Sequence, residues 1–187
     1  MRKLIASTFV SLDGFVAAQN EDMSWVMENF NEQMGKYAGD LMESMDAILL
    51  GRVTYEIMTS FWPGQTESTS PGAGKMNHTP KIVFSRTLKK ATWGTYDNVT
   101  IVKDKAAEEV ARLKQQPGRN MVIYGSANLV RGFTQLGLID EYQLLVHPVL
   151  LGAGKPLFAA MPKRVNLKLV RTESFKNDVV VLYYRPK

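Results

Sequence analysis

Two strand-to-helix junctions in this chain carry the residue types that hold anions. In "LLGRVTYE" a short apolar run ends at Gly51, and Arg52 and Thr54 follow in what reads as the first turn of a helix. In "VIYGSANL" the run ends at Gly125, and Ser126, Ala127 and Asn128 open the next helix. Free backbone N–H groups and the helix dipole favour negative charge at such junctions. Gly51 lets the backbone approach a phosphate, Thr54 adds a hydroxyl donor, and Arg52 can fork onto a phosphate monoester. The small residues after Gly125 would let a pyrophosphate touch the helix terminus. Ser85-Arg86-Thr87, closing the run "KIVF", is a third candidate and reads equally as a polar turn. Glycine after a strand is common simply for turning. Two such junctions in one open α/β sheet point to a ligand at the carboxyl ends of its strands.

Two Gly-Ala-Gly-Lys runs, Gly72 to Lys75 and Gly152 to Lys155, look at first like phosphate cradles. A P-loop needs a glycine five residues before its Gly-Lys and a Ser or Thr after it. Here those positions hold Thr69 and Met76 in the first run, Val149 and Pro156 in the second. Neither run is a P-loop, and the second reads as a glycine-rich turn.

The elements that must position these residues follow from hydrophobic spacing. A strand over Lys3 to Ser11 breaks at a turn with Asp13 and Gly14. Val26, Phe30, Met34, Tyr37, Leu41 and Met45 recur at three and four residues, which predicts one helix from Trp25 to Met45. "DAILLG" is a buried strand and "RVTYEIMTSF" the helix after it. Trp62 to Pro80 is polar and rich in Pro, Gly, Ser and Thr, hence a long loop. "KIVFSRT", "NVTIVK" and "NMVIYG" are further strands. Asp104 is the expected N-cap of a helix over Lys105 to Gln116, with Ala106, Val110 and Leu113 inward. A helix through "SANLVRGFTQLG" follows the last of these strands. Beyond Gly137, three long strand patterns with hairpin-type connections predict an antiparallel meander. The expected fold is α/β, one domain over residues 1–187, with no internal repeat.

Composition sets outer bounds. The 187 residues include 45% hydrophobic and 22% charged, ordinary for one globular domain. No run reaches the ~18 apolar residues of a membrane helix, and the N-terminus lacks a signal-peptide pattern. Without cysteine there is neither a disulfide framework nor a thiolate metal site, and a cytoplasmic protein is the simplest expectation. Two distant histidines and no clustered carboxylates argue against a metal. The net charge of +5 is dispersed, with Lys163-Arg164 the densest local cluster, which is weak support for nucleic-acid binding.

In order along the chain, "SLDGFVA", "ILLGRVTYE", "KIVFSRTL", "YGSANLVRGFTQLGLIDEYQL" and "HPVLLGAGKPLF" resemble the dihydrofolate reductase-like family that includes the riboflavin-pathway reductase domain (RibD C-terminal type). The resemblance spans the first strand to about Phe158. It implies a central mixed sheet of about eight strands flanked by helices, NADPH as cofactor, and a homodimer. By the family's pattern Gly51, Arg52 and Thr54 meet the cofactor's phosphates, Ser85 and Arg86 its adenosine end, and Gly125, Ser126, Ala127, Asn128 and Leu129 the pyrophosphate. One departure bears on substrate. Riboflavin-pathway reductases carry Glu-Gly-Gly with the glutamate toward substrate, whereas this chain has Tyr124-Gly125-Ser126. That argues against a ribosylaminopyrimidine. Glu28 or Glu32 would be the first-helix carboxylate of a folate-type site, although the surrounding pattern matches poorly.

Asp13 belongs to the family's Ser-x-Asp-Gly signature, on the loop that would reach the nicotinamide. Two roles stand open for it: positioning substrate or relaying a proton, and an Asx-turn that shapes the loop. Trp25, Phe61 and Trp62 would wall a flat heterocycle, or belong to the core. His147, in an apolar strand before Pro148, reads as a satisfied structural residue, and His78 as a loop residue. The leading expectation is an NADPH-dependent reductase of a small heterocyclic, pteridine- or pyrimidine-like substrate. The alternatives are a nucleotide-cofactor-binding protein without efficient turnover and, third, a nucleic-acid binder.

Overall fold

A computed structural model describes residues 1–187. Eight strands form one mixed sheet: β1 (Leu4–Ser11), β3 (Met45–Gly51), β4 (Lys81–Phe84), β5 (Val99–Val102), β6 (Asn120–Tyr124), β7 (Glu141–His147), β9 (Leu167–Ser174) and β10 (Val180–Pro186). Their spatial order is β5-β4-β3-β6-β1-β7-β10-β9. The first six run parallel, and β10 is antiparallel to both β7 and β9. A short two-stranded ribbon, β2 (Phe15–Ala17) with β8 (Lys155–Pro156), stands beside the sheet.

The central strands read as near-continuous apolar runs because both faces are covered. On one face α5 (Ala106–Gln115) and α6 (Ala127–Gln135) send Val110, Leu113, Val130 and Phe133 against Leu4, Ala6, Leu49 and Ile123. On the other, α2 (Glu32–Ser44), α3 (Arg52–Phe61) and α4 (Ala73–His78) pack Leu41, Tyr55 and Met76 against Ile5, Ile48, Leu50 and Val122. A third cluster, Met34 with Leu145, Val181 and Tyr183, seals the antiparallel end.

Four expectations need correction. The helix over Trp25 to Met45 is two helices, α1 (Ser24–Glu28) and α2, because the Asn31 side chain accepts from the Met34 N–H at 3.0 Å and caps a new start. Phe30 falls in the break and is exposed, and Met45 already belongs to β3. Residues 62–80 are not a bare loop. They hold a 3₁₀ turn (Trp62–Gly64) and α4, tied down by Asn77, whose amide accepts from Trp93 Nε1 at 2.8 Å and donates to the Trp62 carbonyl at 3.0 Å. His78 therefore lies in a helix, its Nδ1 2.8 Å from the Gly74 carbonyl. Asp104 does not cap α5, which starts instead from Lys105 in a left-handed conformation (φ 55°). Finally, the C-terminal strands are antiparallel but not a meander, since β10 inserts between β7 and β9.

Candidate functional site

Parallel pairing brings the carboxyl ends of β3, β4 and β6 to one edge. Gly51 pairs with Phe84, and two residues before the strand ends Leu49 pairs with Ile123. The two glycine junctions therefore stand side by side. The Gly51 N–H donates to Ser126 Oγ at 3.1 Å, and a Cβ at residue 51 would sit 2.5 Å from that oxygen, so any larger residue would have to turn the hydroxyl away. Gly125 turns the chain at φ +53°, a conformation that costs any residue with a Cβ. Between them opens a cleft of about 410 Å³.

Its walls bring together Gly51, Arg52, Thr54, Arg86, Gly125, Ser126, Ala127, Asn128 and Leu129, with Phe84 and Lys155. An adjoining hollow of about 390 Å³ shares Phe84, Arg86, Asn128 and Leu129 and adds Ser85. Every residue expected from the two junctions and the Ser-Arg-Thr turn thus borders one continuous groove. The first cleft holds three cations, Arg52, Arg86 and Lys155, and no carboxylate. Arg52 bonds Glu56 one turn along α3 at 2.9 and 3.0 Å, Lys155 bonds Glu21, and Arg86 has no carboxylate partner. Ser85 faces inward on its own turn, where its Oγ accepts from the Thr87 and Leu88 amides at 3.3 and 3.0 Å. The N-termini of α3 and α6 both open on this cleft, so backbone N–H groups add to the positive field. The residues fit a phosphate-bearing dinucleotide: a glycine at each junction, and three cations in a wall that carries no acid of its own.

The two Gly-Ala-Gly-Lys runs do hold anions, and the anions are the protein's own. The Gly72 and Gly74 N–H groups donate to the Glu67 carboxylate at 2.8 and 2.6 Å, which holds its pKa below the usual range. The Leu151 and Gly152 N–H groups donate to Asp13 at 3.2 and 2.7 Å. Asp13 also accepts from Ser11 Oγ at 2.6 Å. That hydroxyl foremost, with the Gly152 and Leu151 amides, keeps its carboxyl below the ordinary carboxylate range. An ionised acceptor with its bonds already made is a poor proton donor. Geometry makes Asp13 a clasp between the loop after β1 and the loop after β7.

The expected substrate residues do not share the groove. Trp25 is buried on α1, with its Nε1 lacking a partner. It meets the His147 ring edge-on at 5.0 Å, and Phe9 does so at 5.7 Å. Trp62 leans on the α2–α3 side of the core, and Phe61 is exposed beside it. The Tyr124 phenol is buried without a partner on that same side, and burial pushes its pKa up. Trp25, Trp62, Tyr124, Glu28 and Glu32 are all absent from the walls of the cleft and of the adjoining hollow. His147 is structural but not satisfied: neither ring nitrogen has a partner, and burial drives its pKa down to about 4.

Sequence reasoning missed Lys155. It reaches the cleft because β8 pairs with β2, Lys155 opposite Ala17, a contact between segments far apart in the chain. A second cavity, about 470 Å³, lies at the opposite ends of β1 and β6 under α2. Most of its charges are paired among themselves, as in Arg185–Glu141 at 2.8 Å and Lys36–Asp40 at 2.6 Å. No helix is long and apolar enough to cross a membrane.

Comparisons with known proteins agree with this architecture. The uncharacterized protein YyaP of Bacillus subtilis is 37% identical over 98% of this chain and 94% of its own length. The riboflavin biosynthesis protein RibD of Corynebacterium ammoniagenes is 26% identical over 80% of this chain, a region that makes up 44% of RibD. Among solved structures, a putative riboflavin biosynthesis protein from Shewanella superposes with a TM-score of 0.81 at 26% identity, covering 99% of both chains. The fold alone is shared with dihydrofolate reductase of Enterococcus faecalis in complex with NADP(H), at a TM-score of 0.64 and 14% identity over 99% of this chain and 96% of that one. The RibD C-terminal domain profile matches residues 2–181, and the chain belongs to that family.

Proposed function

We propose that this protein is an NADPH-dependent reductase that delivers hydride to a small heterocyclic substrate. The observation that carries the reading is the cleft at the carboxyl edge of β3 and β6, walled by the close-approach Gly51, the left-handed Gly125 and three cations with no acid among them. Gly51, Thr54 and Gly125 to Leu129 would hold the dinucleotide's diphosphate. Arg52 and Arg86 would take its remaining phosphate and adenosine end. When bound, the cofactor supplies the hydride; the protein supplies orientation and electrostatics. Asp13 contributes by fixing the loop around residues 151 and 152 rather than by moving a proton. Family membership and the NADP(H)-bound dihydrofolate reductase likeness support the cofactor. Tyr124, standing where riboflavin-pathway reductases have a glutamate, argues for a different pteridine- or pyrimidine-like substrate. A homodimer and a cytoplasmic location belong to the same proposal.

Burial of Trp25 and Tyr124 favours one second reading, a cofactor-binding protein without efficient turnover. Calorimetric titration with NADPH and NADH tests the first step, and NADPH oxidation across a panel of heterocycles tests the second. Micromolar NADPH binding with weaker NADH is expected, and binding of neither would refute the cofactor. Tight NADPH binding with no oxidation across the panel would select the second reading.

A further inference from the structure

Lys155 stands between two partners. Its residue forms part of the wall of the cleft that also holds Gly51, Arg52 and Gly125. It equally borders a hollow made by Ala18, Gln19, Asn20, Glu21, Ala153 and Gly154. The ammonium sits 2.9 Å from each Glu21 carboxylate oxygen. Its backbone is pinned: Gly154 lies so close to β2 that a Cβ there would overlap the Ala17 carbonyl oxygen. The side chain is not pinned by anything else, and a four-carbon stem lets the head swing from a fixed origin. Glu21 is more than half exposed and sits at φ 60°, in the left-handed region, beside Asn20 at φ 59°.

We propose that Lys155 is a phosphate-binding residue of the cleft, and that Glu21 is an internal competitor that takes the ammonium when no ligand phosphate does. The inference rests on the cofactor reading above. A Lys–Glu pair whose carboxylate is more than half exposed contributes little, because water screens it and two long side chains must be held. A phosphate in the cleft would offer the same ammonium a doubly charged partner that two helix N-termini and Arg86 already attract. Exchange of Glu21 for phosphate therefore runs toward the ligand. The shared chemistry is a phosphate oxygen, whether from the dinucleotide or from a phosphorylated sugar on the substrate.

The test is calorimetric titration of NADPH into the unsubstituted protein, Lys155→Gln, Glu21→Gln and the double variant. Lys155→Gln should weaken binding about tenfold, the loss of one charge-assisted contact. Glu21→Gln should tighten it about threefold, since an exposed pair no longer has to be broken. In the Lys155→Gln background, Glu21→Gln should change nothing. A purely structural clasp would make both single variants bind more weakly, which overturns the inference. A Glu21→Gln gain that persists without Lys155 overturns it too, because it would be a general field effect. If the pattern is seen only when ribose 5-phosphate is added to NADPH-loaded protein, the exchange stands and the phosphate is the substrate's. No NADPH binding by the unsubstituted protein removes the cofactor reading and this inference together; binding indifferent to all three variants removes the inference alone.

Discussion

His147 offers a quantitative check on the packing beside the β1–β7 edge. Its ring is buried against Phe9 and Trp25, neither nitrogen has a partner, and burial alone lowers its pKa from 6.5 to about 4. The folded protein therefore resists protonation that the unfolded chain accepts. The sign follows directly. The stability tied to a neutral His147 is fully present above pH 6.5 and is lost as pH falls from 6.5 toward 4. Linkage puts the loss at roughly 2 kcal/mol by pH 5 and about 3 kcal/mol by pH 4, since a tenfold difference in proton affinity is worth about 1.4 kcal/mol. The perturbation is His147→Phe, which keeps an edge-on ring and removes two unpartnered polar atoms. At pH 7 the variant should be as stable as the parent or slightly more so. Urea unfolding of both proteins at pH 7, 6 and 5 reads the difference. Asp13, Glu67 and Glu109, whose pKa values are lowered by their hydrogen bonds, titrate in both proteins and cancel. The gap should widen in favour of the variant by about 2 kcal/mol between pH 7 and 5. A gap that stays constant with pH would show that His147 is hydrated or paired, and the buried-ring reasoning would fail.

Lys81 poses the corresponding problem for a base. It is fully buried, donates to the Asn77 carbonyl at 2.6 Å, lies over the Trp93 ring, and burial lowers its pKa to about 7. Lys81→Met should stabilise the protein at pH 7 by about 1–2 kcal/mol, as when a buried ion gives way to an apolar side chain. The parent should regain ground as pH rises from 7 toward 10, and parallel urea-unfolding curves across that range would exclude it. Gly51→Ala should cost about 1 kcal/mol by turning Ser126 Oγ off the Gly51 amide, and adding Ser126→Ala should make little further difference. Fully additive losses in thermal or urea unfolding would deny that contact. Arg52→Ala should weaken NADPH about tenfold and NADH less than about twofold by calorimetry; equal losses would move the 2′-phosphate to another cation. Asp13→Asn should speed hydrogen exchange at the Leu151 and Gly152 amides and lower turnover while leaving NADPH affinity nearly intact. Unchanged exchange would mean those amides are held by something else.

Much of this was legible because the relevant physics is local. Buried parallel strands announce themselves as unbroken apolar runs, and the residue after each run marks the strand's carboxyl end. Gly51, Ser85 and Gly125 could therefore be placed on one edge from the sequence, and the structure puts them there. What was not legible depended on contacts distant in the chain or too short to carry a period. The apolar spacing from Val26 to Met45 happens to keep helical phase across the break at Asn31, so only the cap betrays it. At six residues α4 is too brief for an amphipathic signal, and what orders it is Asn77 bonding to the buried Trp93. The insertion of β10 between β7 and β9 leaves no local trace at all.

The two Gly-Ala-Gly-Lys runs show why composition at a loop does not decide its ligand. Both present backbone N–H groups to an anion, as their glycines suggest, but each has a carboxylate of this chain within reach: Glu67 five residues before the first, and Asp13 brought to the second by the β1–β7 pairing. An internal carboxylate at 2.6–2.8 Å is present at far higher effective concentration than any solute, so those donors are already spent. At Gly51 and Gly125 the acceptors are neutral, the Ser126 hydroxyl and the Ser7 carbonyl, and the acids that hold Arg52 and Lys155 come from outside the cleft wall. Charge left unsatisfied by the chain itself, more than glycine content, separates a binding cleft from a turn. By that criterion the groove beside Arg86 is where a phosphate belongs.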